Sequence, residues 1–133
     1  MDKMKTIDVL IIDDDPMFPM LLEYVWSKEC SNTQYKVFKD AGDALEDIVA
    51  RSAHPDIIFL DLYTLGMDGR DFLKKYEEFY PGGPRSIIYS VTASVSPEDM
   101  EILSEYNYLA GSLEKPVEYD DVLRIITSHK IFI

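Results

Sequence analysis

The sequence predicts an α/β fold in three layers: a doubly wound, five-stranded parallel sheet covered by helices on both faces. Three observations predict it. Short apolar runs alternate five times with longer stretches of helical period. The connections are short, which with right-handed crossovers implies parallel strands. Two of the runs, Val9-Leu10-Ile11-Ile12 and Ile57-Ile58-Phe59-Leu60, are apolar at every position, as strands buried on both faces are.

In order along the chain, Asp8 to Ile12 reads as the first strand. A helix follows from Met17 to Glu29, with Pro16 near its first turn, where a missing N–H costs little. Pro19 fits only if it too lies in that turn. This helix is apolar nearly all round (Met20, Leu21, Leu22, Tyr24, Val25, Trp26), which predicts that it is largely covered. Tyr35 to Phe38 is a weakly alternating second strand. Asp40 then caps a helix, with Asp43 in a capping-box position and a stripe of Ala41, Ala44, Leu45, Ile48 and Val49. His54-Pro55 breaks the chain before a third strand, Asp56 to Leu62. Gly66 and Gly69 bracket a tight loop, and Phe72, Leu73, Tyr76 and Phe79 recur beyond it at helical spacing. Pro81-Gly82-Gly83-Pro84 is a loop, and Ser86 to Val91 a fourth strand. Ser96-Pro97-Glu98-Asp99 starts a helix with a capping serine, a first-position proline and acids in the first turn. Tyr108 to Leu113 is the weaker fifth strand. The last helix runs from Glu118 to His129, with Val122, Leu123, Ile125 and Ile126 on its buried side.

With 133 residues the chain is the size of one domain, taken as residues 1–133 with its core at about 8–129. At 47% apolar and 29% charged residues it has the composition of an ordinary globular protein. No apolar stretch approaches the ~20 residues that span a bilayer, and the N-terminus lacks the apolar segment of a signal peptide. A cytoplasmic location is the expectation. The lone cysteine, Cys30, is read as packing and agrees with a reducing compartment. Net charge is −12, from 25 acidic against 13 basic residues, and no helix carries a basic stripe, which argues against nucleic-acid binding.

The chemistry gathers where strands end. The first apolar run enters Asp13-Asp14-Asp15 and the third ends at Asp61; Thr92-Ala93 follows the fourth and Lys115-Pro116 the fifth. In a parallel sheet these ends share one rim, where open α/β sheets place their ligand crevice. Carboxylates collected there repel one another unless a cation neutralises them, and an all-oxygen donor set suits Mg²⁺. Each residue type has work to do in phosphoryl transfer. A carboxylate can be the nucleophile, others hold the metal, and a hydroxyl and an ammonium offset charge on the phosphoryl oxygens.

From Asp8 to Ile126 the sequence resembles the receiver domains of two-component response regulators. The resemblance is carried by Val9-Leu10-Ile11-Ile12-Asp13-Asp14-Asp15-Pro16, Asp56-Ile57-Ile58-Phe59-Leu60-Asp61-Leu62, Met67-Asp68-Gly69, Thr92-Ala93 and Lys115-Pro116, all in the family's order. It implies a flavodoxin-like (βα)5 fold with strand order 2-1-3-4-5. It implies that Asp61 is the phosphoacceptor, supplied by a sensor histidine kinase or a histidine phosphotransfer protein. Asp14 is then the direct Mg²⁺ ligand, Asp13 one acting through water, and Tyr63 a ligand through its backbone carbonyl. Thr92 matches the switch hydroxyl, Lys115 the phosphoryl-pairing lysine, and Lys115-Pro116 a cis peptide. The family's usual switching surface is the face of the fourth helix, fifth strand and fifth helix. Asp15 carries no fixed role and is expected to face solvent or to help begin the first helix.

Two departures stand out. Leu65 precedes Gly66 where the family usually has proline, and Ser112 stands three residues before Lys115 where an aromatic or histidine is usual. A serine cannot fill the space of a swinging ring, so the usual output coupling is in question; Tyr106 and Tyr108 are nearby substitutes. Tyr63 is bulky beside the acceptor and is expected to shield it somewhat from water. The reading is a stand-alone phosphoacceptor with no output domain, catalysing only its own phosphotransfer and dephosphorylation and acting on an effector protein, with no nucleic acid or membrane partner. One alternative is a degenerate receiver that binds partners without phosphorylation. Another is an aspartyl-phosphate phosphatase, which would want a second acid where Tyr63 stands. A flavodoxin-type cofactor carrier lacks its phosphate loop after the first strand. His54 and His129 have no metal-ligand spacing, and Ile131-Phe132-Ile133 is expected to dock on the domain edge.

Overall fold

The computed structural model describes residues 6–29, 32–51, 54–64, 66–84, 86–93, 96–106 and 109–129. Strands and helices alternate: β1 (Ile7–Ile12), α1 (Met17–Glu29), β2 (Thr33–Phe38), α2 (Ala41–Ala50), β3 (Ile57–Asp61), α3 (Gly69–Phe79), β4 (Ile87–Thr92), α4 (Pro97–Ser104), β5 (Gly111–Glu114) and α5 (Tyr119–Ser128). The five strands form one parallel sheet in the order β2-β1-β3-β4-β5. This is the doubly wound order in which ligands bind outside the carboxyl ends of the strands, where the winding direction reverses.

The period-2 geometry of a strand divides the core in two. On one face Val9, Ile11, Ile57, Phe59 and Val91 pack under α1 and α5, through Phe18, Leu22, Val25, Trp26, Val122, Ile125 and Ile126. On the other, Leu10, Ile12, Ile58, Leu60 and Ile88 pack under α2 and α3, through Ala44, Leu45, Ile48, Phe72, Leu73 and Tyr76. Phe59 centres the first cluster, edge-on to both Phe18 and Trp26 and stacked on Tyr89.

Several elements differ from the sequence expectation. α1 is not covered all round: Met17, Met20 and Tyr24 are exposed, because only its Phe18-Leu22-Val25-Trp26 side meets the sheet. Pro19 lies in the first turn of α1 and is buried, as its missing N–H allows. Val49 of α2 and Phe79 of α3 are also exposed, at the tail ends of stripes whose earlier members are buried. β5 is shorter and later than expected, Gly111–Glu114, since Leu109 and Ala110 lead into it without forming strand. Asp40 caps α2 by accepting from the Gly42 amide. Cys30, Leu65, Tyr108 and Ile131-Phe132-Ile133 fall outside the described residues.

Candidate phosphoryl and metal site

Strand register brings the rim together. Ile12 pairs with Leu60, Leu60 with Ser90, Asp61 with Val91, and Thr92 with Glu114. Asp13, Asp61, Thr92 and Lys115 therefore fall at or one step beyond four neighbouring strand ends. The Lys115 amide donates to the Thr92 carbonyl at 2.7 Å, which fixes β5 beside β4 at the rim. The Lys115–Pro116 peptide bond is cis.

Asp13 and Asp61 are buried, Asp14 half-buried, and one carboxylate oxygen from each lies within 4.8 Å of the others. The Lys115 ammonium enters this group from the side. Its Nζ is 2.9 Å from Asp13 Oδ2, 3.3 Å from Asp61 Oδ2 and 4.0 Å from Asp15 Oδ2. Asp13 also accepts the Asp15 amide at 2.9 Å, and Asp15 accepts the Met17 amide at 3.0 Å, so the acidic run builds the turn into α1. Asp61 Oδ1 accepts the Tyr63 amide at 3.0 Å.

Electrostatics follow from this packing. Burial is the largest influence on Asp13 and lifts its pKa from 3.8 to about 6; Lys115 and the Asp15 amide pull down, and the Asp61 charge adds to the rise. For Lys115 burial works against the ammonium, but bonds and charge from Asp13 and Asp61 outweigh it, and its pKa rises. One lysine is thus shared between two buried acids with a third half-buried acid beside them. The shortage of positive charge and the all-oxygen donors fit a hard divalent cation such as Mg²⁺.

The loop after Asp61 is held by features that leave no room for side chains. A Cβ on Gly69 would lie 2.7 Å from the Leu62 Cα and 3.0 Å from the Asp61 carbonyl oxygen, both backbone. Gly66 has φ +80°, which disfavours a side chain, and a Cβ there would press on the Asp40 carboxylate. Asp68 caps α3 by accepting the Asp71 amide, and the Thr64 hydroxyl donates to the Met67 carbonyl.

At the departures, Ser112 is exposed and its hydroxyl accepts from Ser90 Oγ at 2.9 Å; Ser90 is fully buried on β4. Tyr106 packs at the edge of the α2–α3 core. His129, at the end of α5, shares a 2.7 Å hydrogen bond with the Tyr89 hydroxyl, and His54 stands edge-on to Tyr80. Reading the sequence missed one partnership: the Tyr63 hydroxyl donates to Asp99 Oδ1 on α4. The only signal of Asp99 was its place in the first turn of a helix, where an acid is ordinarily solvated.

The fold and the rim define a class: α/β domains that gather carboxylates, a hydroxyl and a lysine at the carboxyl ends of a parallel sheet. The family profile described as the response regulator receiver domain matches residues 9–127, and the chain belongs to that family. It is 33% identical over 96 residues to a protein-glutamate methylesterase/protein-glutamine glutaminase of Bdellovibrio bacteriovorus, covering 69% of this chain and 25% of that one. It is 29% identical over 119 residues to the DNA-binding transcriptional regulator NtrC of Proteus hauseri, covering 90% of this chain and 24% of that one. The chain thus spans about a quarter or less of the curated relatives it matches. The crystal structure of a two-component response regulator from Legionella pneumophila superposes with a TM-score of 0.80 at 23% identity, over 95% of this chain and 99% of that one. Among the described residues, no helix is long and apolar enough to cross a membrane.

Proposed function

We propose that Asp61 is the phosphoacceptor of this receiver domain, taking a phosphoryl group from a phosphohistidine of a sensor histidine kinase or a histidine phosphotransfer protein. The observation that carries the reading is the convergence of Asp13, Asp14 and Asp61 on a rim that holds one lysine. A carboxylate oxygen of Asp61 attacks phosphorus, the P–N bond breaks, and its electron pair returns to the imidazole nitrogen, which takes up a proton. Water attacking the same phosphorus later reverses the modification and releases inorganic phosphate. Asp13, Asp14 and the backbone carbonyl of Tyr63 are the groups that would hold Mg²⁺ together with Asp61. When bound, Mg²⁺ supplies positive charge that offsets the acids and the phosphoryl oxygens.

Lys115 lies 3.3 Å from Asp61 in the unmodified protein and pairs with a phosphoryl oxygen once one is attached. The buried Thr92, one step beyond the Asp61–Val91 pair, supplies the hydroxyl that donates to another. The domain passes its state to a protein partner through a surface that includes α4, β5 and α5.

The test is incubation with acetyl phosphate and Mg²⁺, followed by intact-mass measurement. Wild type gains one phosphoryl group and Asp61→Asn gains none. An unchanged mass in wild type would overturn the reading in favour of a receiver that binds partners without phosphorylation. Rapid turnover of generic phosphate esters would instead indicate a phosphatase.

A further inference from the structure

Tyr63 is tied at both ends. Its amide donates to Asp61 Oδ1 at 3.0 Å, and its hydroxyl donates to Asp99 Oδ1. Between those bonds stand two side-chain torsions and a rigid ring, so one side chain joins the acceptor loop to α4. The ring is 54% exposed, so it is these polar ends and not burial that hold it in place.

Asp99 lies on the inner side of α4, against Tyr63. Among the described residues of α4 it is the buried one; Pro97, Glu98, Met100, Glu101 and Ser104 are exposed and Leu103 is half-buried. Asp99 is also locked to the helix start, where its amide donates to Ser96 Oγ at 3.1 Å and its Oδ2 accepts the Ser96 amide at 3.3 Å. A carboxylate buried this way is stabilised by its donors, and Tyr63 is the donor that comes from outside the helix. On β5, where a ring would carry a message to α4, Ser112 is bonded to Ser90.

We propose that Tyr63 and Asp99 form a latch that couples the chemical state of Asp61 to the first turn of α4, in the role a β5 aromatic would otherwise play. Attaching a group to the Asp61 carboxylate changes what the Tyr63 amide bonds to, moves the ring, and strains or releases its bond to Asp99. By linkage the coupling runs both ways: whatever partner draws α4 away from Tyr63 also alters how firmly the acceptor loop holds Asp61. The latch rests on the phosphoacceptor reading for its trigger, while its mechanical part stands on the unmodified protein.

Hydrogen exchange of the α4 amides tests both parts. In the unmodified protein, Tyr63→Phe speeds that exchange by about tenfold, the loss expected for a hydrogen bond to a charged group, and Asp99→Ala, which also takes the acceptor from the Ser96 amide, speeds it more. The double variant exchanges no faster than Asp99→Ala alone, because Asp99→Ala has already removed the bond that Tyr63→Phe breaks. Ser96→Ala, which removes only the cap, adds its effect to that of Tyr63→Phe. Asp99→Asn, which keeps an acceptor oxygen and the side-chain shape, restores part of the protection. Additive effects of Tyr63→Phe and Asp99→Ala would overturn the latch.

The second arm adds acetyl phosphate and Mg²⁺. Wild type gains mass and its α4 exchange changes; Asp99→Ala gains mass and its α4 exchange does not change. An α4 response in Asp99→Ala equal to that of wild type overturns the coupling and leaves the phosphoacceptor reading standing. No mass gain in wild type overturns that reading and the coupling with it, and the first arm still decides whether the two side chains hold α4.

Discussion

The two helices that flank β5 in the chain are held in opposite ways. α5 buries Val122, Ile125 and Ile126 against the sheet and starts with a reciprocal capping box between Glu118 and Asp121. α4, among its described residues, buries Asp99 and half-buries Leu103, and the hydroxyl of Tyr63 bonds to Asp99 from the loop after β3. Burial of aliphatic surface is non-directional and tolerates small shifts, whereas a hydrogen bond is won or lost over a fraction of an ångström. A helix joined to the acceptor loop by the second kind of contact can answer a change at the rim. One held by the first is a fixed wall.

The sharpest way to break this comparison is to thin each helix's apolar side. Ile126→Ala removes a fully buried side chain and should cost about 4 kcal/mol in urea unfolding. A cost near that of a surface substitution would show that α5 is no firmer than α4.

The rim gives a second contrast, of burial against charge. In the metal-free protein Asp13 has its pKa raised from 3.8 to about 6, so the folded state holds a proton there that the unfolded state has released. Stability from this group is therefore complete below about pH 4 and lost as pH rises through about 6, a change of about 3 kcal/mol. A cation beside the carboxylate recovers that loss, so MgCl₂ should raise the urea midpoint at pH 7.5 and leave it nearly unchanged at pH 4. Equal effects at both values would separate metal binding from Asp13.

The smallest effect is expected on α4. Leu103→Ala, at a half-buried position, should cost about 1 kcal/mol, measured in the same urea series as Ile126→Ala. A loss as large as that of the α5 variant would mean that α4 is held by packing after all.

How much of this was legible in the sequence follows the same division. β1 and β3 were plain because a strand covered on both faces needs an unbroken apolar run, and the acids that end them announced the rim. Glu118 to His129 was found within a residue at each end, since its apolar stripe and acidic first turn agree. α1 misled, because Met17, Met20 and Tyr24 are apolar residues left in solvent, and hydrophobicity does not say which side of a helix is covered. β5 was placed too early because it is only four residues long, with half of them exposed. The Tyr63–Asp99 bond was beyond reach for a different reason. It joins residues 36 apart, and neither a tyrosine in a loop nor an acid at a helix start signals a partner.

Gly69 sets a limit on how this chain can vary. It donates its amide to the Leu62 carbonyl at 2.9 Å, and even one added methyl group would press on the main chain of Leu62 and Asp61. The main chain such a methyl would push against is the stretch that carries the Asp61 carboxylate at the rim. A side chain at this position would therefore displace the Asp61 carboxylate from its place beside Lys115, so a residue with no side chain helps to hold the rim together.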